Sequence, residues 1–474
     1  MQTNRSALIT LISVFFFWGF VAASNDILIP VFKEKLNMEQ WQSQLISVAF
    51  YVAYTVGSVI YILLSKAYGG DILNRLGYRN GIALGLCISA AGTLLFYPAA
   101  QLVSFGLMIT GLFVVALGFS LQQTAANPLA IVMGNPQLAS QRLSLAGGVN
   151  NIGTTIGPLV VSYAIFGAVG SGHKLNSIDS VKFPYLILGA AFLIVAVIFK
   201  YSSLPNQIFS DDKQDAASSA PTRSGALHYP QLVLGMIAIF VYVGVEVATA
   251  SNLPEYMRQH MAIDTSGAAP YVSLFWASLM IGRWTSSAGA FDVSDAKRLL
   301  LRFVMPYLAF AVFLLANAIA HTDLSVFYPY AGVILIMIIA DILSKGDPAR
   351  QLLIYSFCGI VALVTGMCTT GLVSVYAFIS VGLFCSTLWP CIFTLAISGL
   401  GKYTNQGSSY LIMMIMGGGL ISWLQGWLAS PGVIGIKASY LVGVACFSYL
   451  GFYGWKAARI LREQHVTREK AAAH

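Results

Sequence analysis

The sequence predicts an all-α protein that crosses a membrane many times, and two observations carry that prediction. Hydrophobic residues make up 57% of the chain and charged residues 9%, with a mean hydropathy of +0.75, whereas a soluble domain carries about 25% charged residues. Apolar segments of about 18–25 residues recur along the whole length, and each is long enough to cross about 30 Å of hydrocarbon as a helix. Backbone groups in lipid must be satisfied within the protein, and the sequence lacks the alternation typical of membrane barrel strands, so helices are the predicted element.

Fourteen apolar segments are predicted to span the membrane, six before a polar linker and eight after it. The linker, 202–231, is rich in Ser, Asp, Ala and Pro and cannot build a core. The predicted organisation is an N-terminal six-helix bundle (1–201), the linker, a C-terminal bundle (232–463) with an inserted helical hairpin at about 299–345, and a cytoplasmic tail (464–474). The spans are predicted near 8–32, 44–66, 81–99, 104–134, 143–167, 184–200, 232–258, 268–290, 302–320, 326–343, 351–369, 371–400, 408–428 and 438–456.

The charges between these spans predict their orientation. With the N-terminus inside, most of the 26 Lys and Arg residues, Arg283 among them, fall in the cytoplasmic set, as the positive-inside rule expects. Both termini are therefore predicted to be cytoplasmic. The net charge of +8 comes from these short basic loops rather than from a nucleic-acid-binding domain. Basic residues also flank the inner ends of the inserted hairpin, whose tip has none, and they are Lys297, Arg298, Arg302, Lys345 and Arg350.

Several classes of function are disfavoured by the composition. The six cysteines lie within or at the ends of apolar segments, without the spacing of metal ligands or of a disulfide framework, and they are Cys87, Cys358, Cys368, Cys385, Cys391 and Cys446. The chain has no nucleotide-binding or hydrolase motif, so we expect neither a cofactor nor an enzyme. The first apolar segment lacks a small-residue cleavage site and is expected to be a mature helix.

The two halves of the sequence repeat short patterns. AASNDILIP around Asp26 is answered by TASNLPEY around Asn252, and TAANPLAI around Pro128 is answered by STLWPCIF around Pro390. The matches indicate duplicated, pseudo-symmetric helical bundles, an architecture typical of secondary transporters. Chance matching in apolar sequence is the alternative.

Acidic residues inside apolar runs are the strongest functional signal. A charge within hydrocarbon costs about 2.5–3.5 kcal/mol on insertion scales, so it usually faces water or a partner. Asp26 is predicted to bind a proton or a cation, the alternative being a solvated carboxylate at a helix end. Glu246 is predicted to contact a sugar hydroxyl or a cation, the alternative being a structural pair with a basic or amide group. Asp341 is predicted to be an interfacial charge close to Lys345.

Amides and aromatic rings suited to a sugar accompany these carboxylates. Carboxamides both donate and accept hydrogen bonds, which matches sugar hydroxyls, although amides also join membrane helices. A flat indole matches the apolar face of a sugar ring, although Trp18, Tyr51 and other rings are equally common as lipid-facing or packing groups. The predicted substrate-binding residues are Asn25, Gln122, Gln123, Asn127, Asn150, Asn151, Glu246, Asn252, Trp276 and Trp389. Pro128 is predicted to disturb its helix and free a backbone carbonyl.

The loop GGDILNRLGYRNG, from Gly69 to Gly81, is predicted to act as a cytoplasmic gate latch through Asp71, Asn74, Arg75 and Arg79. It resembles the loop motif of the major facilitator superfamily, in which Gly precedes Asp-Arg and then Gly-x-Arg. The loop has Asn74 where the family usually has Asp, so the resemblance implies a weaker charge pair at the inner gate.

Three further stretches resemble the fucose–galactose–glucose:proton symporter group of that superfamily: FFFWGFVAASNDILIP, LQQTAANPLAIVMG with RLSLAGGVNNIG, and WPCIFTLAISGLGKYTNQGSSYLIMMIMGGGLIS. The resemblance implies alternating access of two six-helix bundles. It also implies an extra hairpin between the eighth and ninth family helices, which we expect to pack peripherally and not to line the path. In that group an Asp on the first helix and a Glu on the fourth carry the coupling. Asp26 matches the Asp, but Gln123 stands at the Glu position and cannot titrate.

The predicted function is therefore uptake of a monosaccharide of the glucose, galactose or fucose class by cation symport, with proton coupling slightly favoured. A sodium ion near Asp26 is the alternative, with no other metal expected. A membrane sugar sensor that does not transport is the alternative of another class. The predicted location is the bacterial inner membrane, and the predicted partners are the sugar, the cation and the lipid bilayer, with no nucleic acid and with a monomeric chain.

Overall fold

The computed structural model describes residues 7–21, 40–166, 182–206, 225–263, 265–288, 290, 294–319, 322–430 and 432–472. Up to residue 206 the chain forms helices α1 (Ala7–Val21), α2 (Gln40–Ala67), α3 (Ile72–Leu76), α4 (Tyr78–Leu94), α5 (Phe96–Gln101), α6 (Phe105–Val132), α7 (Ala139–Phe166) and α8 (Lys182–Lys200).

From residue 225 onward the helices are α9 (Pro230–Met261), α10 (Thr265–Ser287), α11 (Asp295–Ile319), α12 (Tyr330–Ser344), α13 (Pro348–Cys368), α14 (Gly371–Cys385), α15 (Leu388–Ile397), α16 (Thr404–Met413), α17 (Gly417–Leu428), α18 (Gly435–Ser439) and α19 (Leu441–Ala472).

Every predicted span overlaps one of these helices. Among the described residues, 11 helical segments are long and apolar enough to cross a membrane, and Ala7–Val21 is a shorter apolar helix. The prediction of an all-α polytopic membrane protein is confirmed. Part of the first predicted span, 22–32, lies outside the described residues, as does most of the linker (207–224).

The chain divides into two compact units. The first comprises Met1–Gly134, Val149–Ile208 and Ser408–Met413, and the second comprises Asn135–Gly148, Phe209–Gly407 and Met414–His474. The unit borders therefore do not follow the chain order strictly, because the start of α7 belongs to the second unit and part of α16 belongs to the first.

In the first unit, α4 and α6 make the most extensive helix contact, with α8 against α4 and α2 against α6. Two glycines allow this approach. A Cβ on Gly85 would meet the backbone of Gly118, and a Cβ on Gly118 would meet the backbone of Gly85 and the Ser89 hydroxyl. Since helices in lipid associate through close packing rather than through the hydrophobic effect, such small residues determine which helices pair.

Helices α1 and α7 approach each other in the same manner. A side chain at Gly19 would collide with the Asn150 carbonyl, and one at Gly153 would collide with the backbone of Phe16 and Phe20. The Asn150 Nδ2 atom donates to the carbonyl of Phe15 over 2.8 Å. This hydrogen bond from the Asn150 side chain holds α1 against α7 in the first unit.

The second unit is built around α9, which packs on α17, α19 and α15, while α13 packs on α19 and α14. Helices α14 and α15 form the most buried apolar segment, with 72% of its best window buried. The helix is interrupted between them at Ser386 and Thr387, where the polypeptide continues without α-helical structure. Helix α15 therefore lies deep in the second unit as a separate ten-residue segment.

The predicted inserted hairpin is present as α11 and α12. Helix α11 packs mainly on α10, and α12 packs on α13 with smaller contacts to α10 and α14. Only 22% of the most apolar window of α11 is buried, so α11 lies at the periphery of its unit. That the hairpin does not line the path stays a prediction.

The prediction for Asp341 is wrong. This residue is not an interfacial charge, because only 2% of its surface is exposed. Its Oδ2 atom lies 3.1 Å from Arg302 Nε of α11. The sequence suggested Lys345 as the basic neighbour, whereas the structure pairs Asp341 with a residue of the preceding helix.

Candidate functional site

In the second unit a carboxylate is hydrogen-bonded to a phenol and lies within the electrostatic reach of a guanidinium. Glu246, half-buried on α9, accepts a hydrogen bond from the hydroxyl of Tyr242 one turn earlier. Arg283 of α10 supplies the opposite charge that acts on Glu246, and the thiol of Cys385 lies within electrostatic reach of both. A carboxylate at this depth needs such partners because its own hydration is lost.

Arg283 also binds the break between α14 and α15. Its Nε atom donates to the Ser386 carbonyl over 3.0 Å, and one terminal nitrogen donates to the Gly147 carbonyl over 3.4 Å. Pro390 lies four residues after Ser386 and has no N–H to offer that carbonyl. Arg283 therefore interacts with Glu246 through its charge and with the backbone just before α15 through a hydrogen bond.

An aromatic surface adjoins this cluster. Trp389, the second residue of α15, is partly exposed, and its ring centroid lies 6.3 Å from that of Tyr242 and 5.9 Å from that of Phe393. A partly exposed indole beside a phenol and a carboxylate offers an apolar face together with hydrogen-bonding groups. This combination of an apolar surface with few polar groups is typical of small-molecule sites.

In the first unit Gln122 joins three helices. Its Oε1 atom accepts from Trp18 Nε1 of α1 over 2.5 Å, and its Nε2 atom donates to the Ser89 hydroxyl of α4 over 3.0 Å. The side chain is completely buried. These bonds use the amide for helix association, the alternative that the sequence left open, and its contact with a sugar stays a prediction.

The neighbouring Gln123 is more accessible. It is half-buried on α6, and its Nε2 atom donates to the Tyr54 hydroxyl of α2 over 3.1 Å. One amide proton and the carbonyl oxygen are not used in that bond, so the pair can bind further hydroxyl groups.

Pro128 does not break α6, which continues to Val132. Because proline lacks an N–H, the Thr124 carbonyl loses its helical donor, and Ser408 Oγ donates to it over 3.0 Å. A side chain thus replaces the missing backbone donor, as membrane helices commonly require. Beside Pro128, Asn127 is 1% exposed, and its Nδ2 atom has no hydrogen-bond partner among the described residues.

The remaining predicted sugar contacts occupy different surroundings. Asn150 holds α1 through the Phe15 carbonyl, and Asn151 is buried one residue further along α7. Asn252 donates back to the Ala248 carbonyl of its own helix over 2.8 Å. Trp276 is 41% exposed and contacts Phe275 edge-on. Asn25 and Asp26 lie outside the described residues.

The family assignment follows from a direct comparison of the chain with known proteins. The family model described as the Major Facilitator Superfamily matches residues 7–343. The chain belongs to the Major Facilitator Superfamily. It is a multi-pass membrane transporter rather than an enzyme, as the sequence predicted.

Curated relatives match over nearly the full length. The chain is similar to a glucose/galactose transporter of Brucella abortus, with 33% identity over 451 residues that cover 94% of this chain and 93% of that protein. It is also similar to the L-fucose-proton symporter of Escherichia coli, with 29% identity over 460 residues that cover 93% of this chain and 90% of that protein.

Solved structures agree with this assignment. A crystal structure of a Major Facilitator Superfamily transporter, FucP, in the outward conformation matches with a TM-score of 0.70 and 25% identity, covering 95% of this chain and 98% of that chain. The predicted major facilitator fold and the resemblance to the fucose–galactose–glucose:proton symporter group are confirmed.

The superfamily loop between α2 and α4 is held by one carboxylate. Asp71 caps α3 by accepting from the backbone N–H of Leu73 over 2.8 Å, and it accepts from the Tyr61 hydroxyl over 2.7 Å. Arg79 donates to the Ser202 carbonyl over 2.7 Å, while Asn74 and Arg75 are exposed. The loop therefore connects α2 to the segment after α8 within the first unit, and its gating role stays a prediction.

In the described part of the chain, no cluster of three or more His, Cys, Asp or Glu side chains could hold a metal ion. The predicted sodium position near Asp26 lies outside those residues and stays a prediction.

Three residues that are not among the predicted site residues make the contacts described above, and they are Tyr242, Arg283 and Ser408. Tyr242 and Arg283 belong to the Glu246 cluster, and Ser408 binds the Thr124 carbonyl. The charge pattern places Arg283 among the cytoplasmic residues, but a basic residue within the run ASLMIGRWTSS is also a functional signal in a membrane helix. Tyr242 lies four residues before Glu246, the spacing at which helical side chains meet. Ser408 carries no sequence signal, because its role depends on the fold.

Proposed function

We propose that the protein takes up a monosaccharide by cation symport with alternating access. The observation that carries the proposal is the cluster of Glu246, Tyr242, Arg283 and Trp389: the half-buried carboxylate is hydrogen-bonded to the phenol, the phenol ring lies beside the indole, and the guanidinium acts on the carboxylate through its charge. The names of the relatives support the choice of substrate, since glucose, galactose and L-fucose are all monosaccharides.

In this proposal Trp389 lies flat against the apolar face of the sugar ring. Glu246 and Tyr242 bind its hydroxyl groups, because a carboxylate accepts and a phenol both donates and accepts. Gln123 and Asn127 of the first unit retain unused donors, and their binding of sugar hydroxyl groups is kept as a separate proposal that rests on the sequence.

Glu246 is proposed to carry a proton. When it is ionised, its charge attracts Arg283, which in turn holds the Ser386 carbonyl at the break before α15. Protonation removes that attraction and weakens the restraint on Arg283. The protonation state of Glu246 thereby changes how firmly the helix that carries Trp389 is held, and this links the cation to the sugar site.

Asp26 is proposed as a second coupling carboxylate, from its position in the sequence alone. The prediction for Asp26→Asn is loss of gradient-driven accumulation. Gln123 replaces the second acidic residue of the group, so Glu246 is proposed as the titratable partner of Asp26.

The remaining sequence predictions are kept as parts of this proposal. The protein is placed in the inner membrane of a bacterium as a monomer, with both termini and the 202–231 linker in the cytoplasm. The bundles are proposed to comprise residues 1–201 and 232–463, the latter containing the hairpin at about 299–345, with a cytoplasmic tail from 464.

The test uses the purified full chain in proteoliposomes. Counterflow of radiolabelled glucose, galactose and fucose measures transport without a gradient and separates a transporter from a sensor. An imposed proton gradient and then an imposed sodium gradient are applied to the same vesicles. Accumulation driven by the proton gradient alone supports the proposal, accumulation driven by sodium alone replaces the proton with sodium, and absence of counterflow for all three sugars contradicts it.

A further inference from the structure

The inserted hairpin carries a buried charge pair that the proposed transport chemistry does not use. Arg302 Nε of α11 lies 3.1 Å from Asp341 Oδ2 of α12, and the two side chains are 13% and 3% exposed. The same helix α11 also carries an exposed pair, Arg298 and Asp295, whose side chains are 31% and 98% exposed. The hairpin thus contains a buried and an exposed ion pair of the same residue types.

A buried ion pair contributes little net stability, because desolvation of both charges offsets their attraction. Such pairs have their best-attested role in specifying one arrangement of neighbouring elements. The contacts made by the carboxylate of Asp341 therefore indicate which neighbouring helices this pair holds in one arrangement.

The second carboxylate oxygen of Asp341 accepts a hydrogen bond from the core of the second unit. Asp341 Oδ1 accepts from Gln351 Nε2 of α13 over 3.2 Å, and Gln351 Oε1 accepts from the thiol of Cys391 on α15 over 3.4 Å. Asp341, Gln351 and Cys391 are at most 2% exposed. One continuous polar chain therefore runs from α11 through α12 and α13 to α15.

The end of this chain is the helix that carries Trp389. Helix α15 has ten residues and follows a break, so its orientation depends on tertiary contacts, because a helix of this length is marginal by itself. Arg283 holds the backbone at the break, and Gln351 holds the thiol of Cys391 two residues after Trp389. These two contacts restrain the position of the indole beside Tyr242.

We propose that Asp341 is a positioning residue for the sugar site, acting through Gln351 and Cys391 on α15 and so on Trp389. The inference rests on the proposed sugar transport, because the ligand whose affinity it sets is the sugar. The inserted hairpin then has a defined role. It lies at the periphery of the unit and restrains the motion of α15 through this polar chain.

The test compares Asp341→Asn with Asp295→Asn in the full chain. Each removes one negative charge from the same hairpin, but only the first weakens the polar chain to α15, because an amide oxygen accepts from Gln351 less strongly than a carboxylate and has no charge to pair with Arg302. For Asp341→Asn we expect the KM for sugar counterflow to rise about three- to tenfold with a smaller change in the maximal rate. We also expect faster hydrogen exchange at residues 388–397 of the sugar-free protein. Asp295→Asn is expected to leave both quantities at the wild-type value.

A second pair of variants avoids a buried unpaired charge. Cys391→Ala removes the donor to Gln351, whereas Cys391→Ser retains a hydroxyl donor at the same place. The alanine variant should reproduce the higher KM and the faster exchange, and the serine variant should restore both towards the wild type. This pair decides the question if Asp341→Asn does not accumulate in the membrane.

Two outcomes overturn the inference. One is Asp341→Asn present at the wild-type level with unchanged KM and unchanged exchange at 388–397. The other is identical behaviour of Cys391→Ala and Cys391→Ser. If the wild-type protein moves none of the tested sugars, the proposed function fails, and the exchange measurement alone then shows whether Asp341 fixes α15.

Discussion

Arg283 donates to the carbonyl of Ser386, the carbonyl that Pro390 leaves without a helical donor. The first unit contains the same arrangement, in which Ser408 donates to the carbonyl of Thr124, four residues before Pro128. In both places a side chain from another helix replaces the N–H that proline lacks. The two prolines that the sequence pairs as internal repeats therefore have equivalent surroundings, one satisfied by a neutral hydroxyl and the other by a cation.

This relationship predicts the effect of Arg283→Ala on stability. The substitution leaves the buried Ser386 carbonyl without a donor, which costs about 1–3 kcal/mol. Adding Pro390→Ala to the same protein returns a backbone N–H four residues after Ser386, so the double variant should recover part of the loss. Thermal unfolding of the detergent-purified variants measures both effects.

Pro390→Ala in an otherwise wild-type chain is the control for that pair, because Arg283 then competes with the new N–H and little stability should be gained. The explanation is contradicted if Arg283→Ala unfolds at the wild-type temperature. It is also contradicted if Pro390→Ala has the same effect with and without Arg283, since coupled groups must show an interaction term in the double-mutant cycle.

Ser408→Ala is predicted to destabilise the first unit for the same reason. It removes the donor to Thr124 from a site where Ser408 is completely buried, at a cost of about 1–3 kcal/mol. Ser448→Ala is the matched control, because Ser448 is exposed and its hydroxyl bonds back to the Val444 carbonyl of its own helix. That control should stay within about 0.5 kcal/mol of the wild type. Equal unfolding temperatures for the two alanine variants would remove the basis of this prediction.

Much of the fold could be predicted from the sequence, because hydrocarbon thickness determines how long each apolar segment must be. The inserted hairpin followed from the same argument, together with the basic residues at its inner ends. Glu246 and Pro390 could also be selected, since a carboxylate or a proline in an apolar run is conspicuous by itself.

The partners of these residues could not be predicted, because they lie on other helices. The positive-inside rule explains Arg283 as a cytoplasmic charge, so the sequence does not show that this residue binds the Ser386 carbonyl. Asp341 has Lys345 one turn away in sequence, yet it pairs with Arg302 of the preceding helix. Gln122 reads equally as a sugar ligand or as a helix contact until the positions of Trp18 and Ser89 are known.

Trp389→Ala is predicted to weaken sugar binding. The substitution removes the ring that lies beside Tyr242, and a loss of about tenfold in affinity corresponds to about 1.4 kcal/mol. Trp389→Phe retains a flat apolar face and should retain most of the affinity. The KM for sugar counterflow in proteoliposomes provides the measurement for both variants.

Trp423→Ala is the matched control for this prediction, because Trp423 is 70% exposed on α17. It should change neither the KM nor the maximal rate. If Trp389→Ala transports sugar with the wild-type KM, the indole is a packing residue and the proposed sugar surface in the second unit is wrong.

Glu246→Gln is predicted to separate sugar transport from its driving force. The carboxamide retains an acceptor for the Tyr242 hydroxyl, but it can neither bind nor release a proton, and it does not attract Arg283. Counterflow, which needs no net proton movement, should continue at a measurable rate. Accumulation of sugar against its gradient, driven by an imposed proton gradient, should be lost.

Glu255→Gln on the same helix is the control, because Glu255 forms an exposed pair with Arg258, with side chains 39% and 60% exposed. It removes one carboxylate from α9 without touching the buried cluster, so both counterflow and accumulation should be those of the wild type. Full proton-driven accumulation by Glu246→Gln would assign the coupling to another carboxylate, with Asp26 the first to test. Loss of counterflow as well as accumulation would contradict this separation. It would show that sugar binding itself requires the negative charge of Glu246, because the substitution removes the charge and keeps a hydrogen-bond acceptor.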